Sequence, residues 1–247
     1  MIDARDEGWL PPGDVSDRYR AWGFVCSFAA AFSRPLAHGD GVDPAALEAA
    51  AVRLGHELAA ALREGYLQFG LRTDLTKSQD TLLSPEQLRV DSSGSVLVFR
   101  IENQSCASWG VRLADIDLDD PPVVVESGKG WTPYSERLSL ALAEMVLMES
   151  MFSGCEDDAT DNRELDDATL GLLEAGFDRL GLPDLPFWAG DGGSVIRWFH
   201  GPDVLLRDDG GAWLWVYGRS PEAVAAVRVR LPGEWLMVPD GDDEPEF

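Results

Sequence analysis

Residues Leu82 to Val111 read LLSPEQLRVDSSGSVLVFRIENQSCASWGV, and this stretch decides the fold class. Pro85 opens a single helical turn that ends near Leu88, because proline at the first helical position gives up no needed N–H. Asp91-Ser92-Ser93-Gly94 supplies turn residues, and Val96, Val98 and Phe99 read as a strand. A second strand follows at Trp109 to Leu113. A short helical lead-in, a turn and two short strands make a recognition scaffold, and the stretch holds no catalytic constellation.

Working outward, Val15 to Phe32 predicts a helix, with Trp22, Val25, Phe28, Ala29 and Phe32 on one face at spacings of three and four. Asp43-Pro44 is an N-cap followed by proline at N1, and it starts an Ala-rich helical segment running to Phe69, with Gly55 as the candidate break between two helices. Its stripe of Leu47, Leu54, Leu58, Leu62, Tyr66 and Phe69 reads as core. Downstream, Val96–Ile101, Ser108–Leu113 and Pro122–Glu126 read as an antiparallel meander. Trp131-Thr132-Pro133 then introduces a long amphipathic helix over Tyr134–Phe152. CEDDATDNRELDD, from Cys155 to Asp167, reads as an acidic loop with some helical character and is the best candidate for an internal boundary.

Beyond it a helix is expected at Asp167–Leu180, strands at Ser194–His200, Val204–Arg207 and Ala212–Tyr217, and a helix capped by Ser220. Asp208-Asp209-Gly210-Gly211 marks a hairpin turn, and GDDEPEF at the end reads as a frayed acidic tail. Alternation sends Trp213, Trp215 and Tyr217 to one face of their strand and Leu214 and Val216 to the other. The aromatic face is either a second packed layer or an exposed patch for a partner. Helix–strand–strand material recurs loosely in both halves, without a repeat of constant period.

LG at Leu54-Gly55, the pair Tyr66 and Phe69, then LLSPEQLRV, VLVFRIENQ, WGV, DDPPVVV and GWTPYSERLSLALAEMVL follow one another from Leu54 to Phe152. In their order and spacing they resemble the SMI1/KNR4, or SUKH, family. The chain departs from the usual pattern in having Leu58-Ala59 where a proline often follows LG, and a lone Gly70 where GG often closes the second helix. The resemblance implies an α+β fold with a central, mostly antiparallel sheet and helices packed on it. It also implies a non-enzymatic protein-binding role, since many bacterial members are immunity proteins that neutralise a toxin. Regulatory or scaffold modules of the same family are the first alternative, and an enzyme built from dispersed carboxylates is the second. No site residue transfers, because family members meet different partners through variable surfaces. The expected organisation is a single α+β domain over 1–247, with the first helices as an N-terminal extension and 155–167 as the place of any boundary.

Composition narrows the partners. The formal charge of −24, from 44 acidic and 20 basic residues, argues against nucleic acid, whose affinity comes from Lys and Arg releasing counterions. It favours encounter with a basic protein, such as a basic toxin domain, through electrostatic steering; the plainer reading is a charge that serves solubility. Cys26, Cys106 and Cys155 are far apart and odd in number, which fits a reducing cytosol and neither a disulfide framework nor a CxxC motif. MIDARDEGWLPPGD has no basic n-region or apolar h-region, so a cytoplasmic location is expected. The apolar run Trp22–Phe32 is far shorter than the roughly 20 residues a membrane-spanning helix needs.

Motifs of chemistry fail on inspection. Asp115, Asp117, Asp119 and Glu126 fall at calcium-loop spacings, but Asp120 stands where glycine is needed and Pro121 follows it. A solvated acidic turn is the expectation there. His38, His56 and His200 are isolated from one another, and Gly190 to Ser194 lacks the lysine of a phosphate loop. The sequence therefore assigns no catalytic, cofactor-binding or metal-ligating residue, and it names no partner-contacting one.

Overall fold

The computed structural model describes residues 9, 15–128, 130–154, 159–190 and 192–237. Cys155, most of the first fourteen residues and the acidic tail lie outside them. The fold is α+β, with two antiparallel sheets and helices packed on them.

The helices start where short polar side chains take up their free amides. α1 (Arg18–Phe32) is capped by Asp17, which accepts from the Arg20 N–H at 2.9 Å, and it buries Trp22, Val25, Phe28 and Ala29 as expected. α2 (Pro44–Leu54) is capped by Asp43 and stops at Gly55, whose φ of 73° is the left-handed conformation that ends helices at low cost in glycine. α3 (Ala60–Phe69) follows, so Gly55 does divide the segment. After the short α4 (Thr73–Thr76) the chain enters the first sheet.

That sheet has the order β1 (Asp80–Leu82), β3 (Val96–Glu102), β4 (Ser108–Arg112), β5 (Val123–Glu126) and β6 (Trp131–Ser135), with β2 (Arg89–Val90) also on β3. Pro85 does open one turn, closed by the Leu88 N–H on the Ser84 carbonyl at 3.1 Å. Asp91 ties the next turn by accepting from the amides of Ser95 and Val96 at 2.9 and 2.8 Å. Bulges at Val98/Arg100 and Val123/Val124 strengthen the twist. A Cβ on Gly110 would lie 2.4 Å from Val96 Cγ1, so the outer face coils tightly there. Trp131, paired with Glu126 at one end of the sheet, reaches across this coil to donate its indole N–H to Asp91 at 3.2 Å.

Two expectations need correction in this region. Trp131-Thr132-Pro133 does not lead into a helix but lies in β6, an edge strand where the missing proline N–H costs no ladder bond. α5 begins only at Leu138 and runs to Ser153. It is buried nearly all round instead of amphipathic. Its first turn is held from a distance by Asp120, which accepts from the Ser139 N–H at 2.8 Å and hydroxyl at 2.6 Å.

The segment expected as an acidic loop holds β7 (Thr160–Glu164), which is a strand because its backbone pairs with β12. α6 (Asp167–Gly176) stops short of Leu180, since Asp178–Arg179 forms β8. β9 (Leu185–Pro186), β10 (Val195–Gly201), β11 (Val204–Asp209) and β12 (Trp213–Gly218) complete the second sheet, in the order β7-β12-β11-β10-β8 with β9 also on β10. α7 (Pro221–Arg230) is capped by Ser220. The family-like picture of one central sheet thus gains a second sheet, built from the last third of the chain.

α5 lies between the sheets. One core cluster joins its side chains to Leu97, Trp109, Val111, Val123 and Val125 of the first sheet and to Ile196, Trp198, Leu205 and Tyr217 of the second. A second cluster under α6 and α7 contains Phe199, Leu206, Leu214 and Val216. The alternation expected in β12 therefore holds, and its aromatic face is a packed layer at Trp215 and Tyr217, while Trp213 at the start of the strand is only half-buried. Trp215 meets Phe152 at 4.7 Å, and Tyr217 meets Phe32 at 5.3 Å and donates to its carbonyl at 3.0 Å.

Candidate functional site

Two glutamates in the middle of an apolar helix are the most unusual feature of this molecule. Glu144 and Glu149 are 1% and 0% exposed, and an isolated carboxylate in such surroundings is expensive unless it is paired. Five residues apart, they project from α5 about 140° from each other. Glu149 accepts from the successive amides of Ser78 and Gln79, both at 2.7 Å, and of Asp80 at 3.1 Å. Glu144 accepts from the Tyr134 hydroxyl at 3.0 Å.

Two guanidiniums complete the network, one from each sheet. Arg100 of β3 lies 4.4 Å over the Trp109 ring and reaches Asp80 at 2.8 Å, Glu149 at 3.4 Å and Glu144 at 3.7 Å. Arg207 of β11 lies 5.6 Å from the Trp198 ring centre and reaches Asp209 at 3.1 Å and Glu144 at 3.6 Å. Glu144 is thus shared between guanidiniums of the two sheets. Four buried carboxylates face two guanidiniums, and the surplus shows in their titration. Burial pushes Asp80 and Glu149 up despite Arg100, and it raises Asp209 to about 6. Burial and Glu144 together push the Tyr134 phenol well up.

Several interior polar atoms make no hydrogen bond among the described residues, including Arg100 Nε, Arg207 Nε, Trp109 Nε1, Trp198 Nε1 and Glu144 Oε1. The network is strained in the sense that its ion pairs are close while its hydrogen-bonding capacity is only partly used. A second polar knot, smaller and nearer the surface, ties α1 to the α3–α4 turn. Arg72, 3% exposed, holds Asp74 at 2.6 Å and Asp40 at 3.5 Å. Arg34 holds Asp40 at 2.6 Å, and that contact first of all lowers the Asp40 carboxyl to about 2.

Surface concavities lie elsewhere. A crevice of about 710 Å³ is bordered by Arg163, Glu164, Asp166, Trp213 and Leu236. Another of about 430 Å³ lies among Pro122, Val124, Pro133, Ser135 and Pro186, and a third of about 370 Å³ lies at Gly193, Val195 and Gly210. Of the buried network only Tyr134 touches any of them. None of the perturbed carboxylates of this network lines one of these three crevices.

The residues weighed in the sequence fall as follows. Asp119 pairs with Arg18 at 3.3 Å and its carbonyl accepts from the Ala61 amide at 2.8 Å, while Asp120 serves α5. Asp115 ends a short 3-10 turn, and Glu126 sits on β5. These acids are committed to separate structural tasks. His200 lies 6.4 Å from the Trp9 ring, and burial lowers its pKa. Gly190 closes a turn on the Phe187 carbonyl at 3.1 Å, ahead of β10. Cys26 and Cys106 are free and exposed. Among the described residues no group of His, Cys, Asp or Glu could hold a metal ion, and no helix is long and apolar enough to cross a membrane.

The sequence reading passed over Asp80, Arg100, Glu144, Glu149, Arg207 and Asp209. One signal was present, two glutamates inside LSLALAEMVLMESMFS, an apolar run where a charge demands a partner. Compared with known proteins, the chain matches no family model, no curated protein and no solved structure.

Proposed function

We propose that the protein is a non-enzymatic binding domain, an intracellular immunity protein that neutralises a toxin domain of basic charge. The observation that carries this reading is how the chain uses its positive charge. From Arg18 to Arg230 every arginine except Arg89 gives its guanidinium to a carboxylate or a backbone carbonyl of the same chain. Against 44 acidic residues, this leaves a surface whose remaining charge is overwhelmingly carboxylate. Such a field attracts cationic proteins and repels nucleic acid and other anions. The perturbed carboxylates of the interior give an enzyme little to work with, since a reactive acid or base must reach substrate in a cleft.

The experiment is an affinity pull-down from the native cell, followed by binding of the recovered partner at low and high salt. A basic toxic protein whose activity is blocked, with association slowed by salt, is the expected result. Recovery of only non-toxic proteins would move the assignment to a regulatory module, and salt-insensitive association would remove the electrostatic argument.

A further inference from the structure

We infer that residues 60–153 and 159–231 are two copies of one α+β unit, the second carrying its sixth strand at the front instead of before its last helix. The registers carry this, since no repeat is legible in the residues themselves. Each unit is built around a seven-residue strand, β3 or β10. Two short strands pair antiparallel with opposite ends of it. At the far end β1 sets Asp80 against Glu102 and Leu82 against Arg100, and β8 sets Asp178 against His200 and Arg179 against Phe199. At the near end β2 sets Val90 against Leu97, and β9 sets Leu185 against Ile196. Directly after the first short strand a leucine amide closes on the central strand in both: Leu83 on the Phe99 carbonyl at 2.8 Å, Leu180 on the Trp198 carbonyl at 2.9 Å.

The order then continues alike. β3 turns into β4 and β5, and β10 turns into β11 and β12, each with antiparallel neighbours. Apart from β7, helices precede each unit's strands, α3 and the short α4 in the first and α6 in the second, and a helix follows them, α5 or α7. The difference lies in the sixth strand. β6 pairs antiparallel with β5 and leads into α5, whereas the same sheet position beside β12 is filled, also antiparallel, by β7 from before α6. β12 accordingly runs into α7 through Arg219 and Ser220 alone.

The arrangement defines an internal docking surface. The second unit covers one sheet face with α6 and α7 and gives the other to α5 of the first unit and to α1, which precedes both units. Arg207 meets Glu144 at 3.6 Å and Tyr217 donates to the Phe32 carbonyl at 3.0 Å across it, with Trp198 and Leu205 in the same core cluster.

The test uses the full chain with a protease site placed either in 155–158 or between Leu165 and Asp166, cut after folding, and amide hydrogen exchange read in each sheet against the uncut protein. The first cut falls between the units and should change exchange in β3–β5 and β10–β12 less than twofold. The second separates β7 from its unit and should speed exchange in β11–β12 at least tenfold while β3–β5 stay as they were. Both sheets losing protection together after either cut would overturn the two-unit assignment. A second sheet unmoved by the second cut would overturn the strand assignment.

Discussion

Asp209→Asn should change how stability depends on pH, in a way that isolates one carboxyl. In the native protein burial raises the Asp209 carboxyl from 3.8 to about 6, with Glu144 and Asp208 adding to the rise and Arg207 opposing it. The native state therefore holds this proton more tightly than the unfolded chain. Below about pH 4 both states are protonated. As the pH climbs from 4 to 6 the unfolded chain loses the proton first, so stability falls, and above 6 the loss is complete. A shift of about two pKa units corresponds to about 3 kcal/mol. The asparagine variant removes this proton, so the wild-type decline between pH 4 and pH 7 should be reduced by about that amount. At pH 7 the variant should be as stable as the wild type or more so, because Glu144 still faces Arg207 at 3.6 Å. Urea unfolding at half-unit steps from pH 4 to pH 8 measures it, with the difference between the two proteins cancelling carboxylates common to both. Parallel profiles for the two proteins, or a variant destabilised by several kcal/mol at pH 7, would refute the idea that Asp209 is a surplus acid in this network.

The opposite substitution should be severe. Arg100→Met leaves Asp80, Glu144 and Glu149 facing one another in the core and should cost about 3–5 kcal/mol in urea unfolding at pH 7. Gly110→Ala places a methyl group against Val96 Cγ1 at 2.4 Å and the Leu97 carbonyl oxygen at 2.6 Å. It should cost roughly 1–3 kcal/mol, read as a lowered Tm. Asp120→Ala removes the acceptor for the Ser139 amide and hydroxyl. A loss of about 1 kcal/mol is expected, by analogy with a lost helix cap, and circular dichroism melts should show it without a change in native helix content.

What the sequence legislated was local. Asp43, Ser220 and Gly55 begin or end helices through their own side chains or backbone freedom, and all three act at the positions read from the chain, whereas Asp17 caps α1 inside the helix expected from Val15. The alternation of Leu214 and Val216 with Trp215 and Tyr217 assigned faces correctly, because period-two geometry needs no knowledge of what covers each face. Where pairing partners are distant, the reading failed. TDNRE is polar enough to pass for loop and becomes β7 only because β12, some fifty residues on, offers it an open edge. Pro133 resembles a helix start and is a strand residue only because β6 lies at a sheet edge.

The buried ionic centre was still less legible. Two glutamates in an apolar run signal that partners must exist, but Asp80, Arg100, Arg207 and Asp209 come from three strands in two sheets. Charge, α+β class, capping and strand faces are determined by the sequence itself, since each depends on neighbours within a few residues. The second sheet, its permuted edge strand and the sharing of Glu144 between two guanidiniums were decided by tertiary structure, because each depends on contacts between residues far apart in the chain.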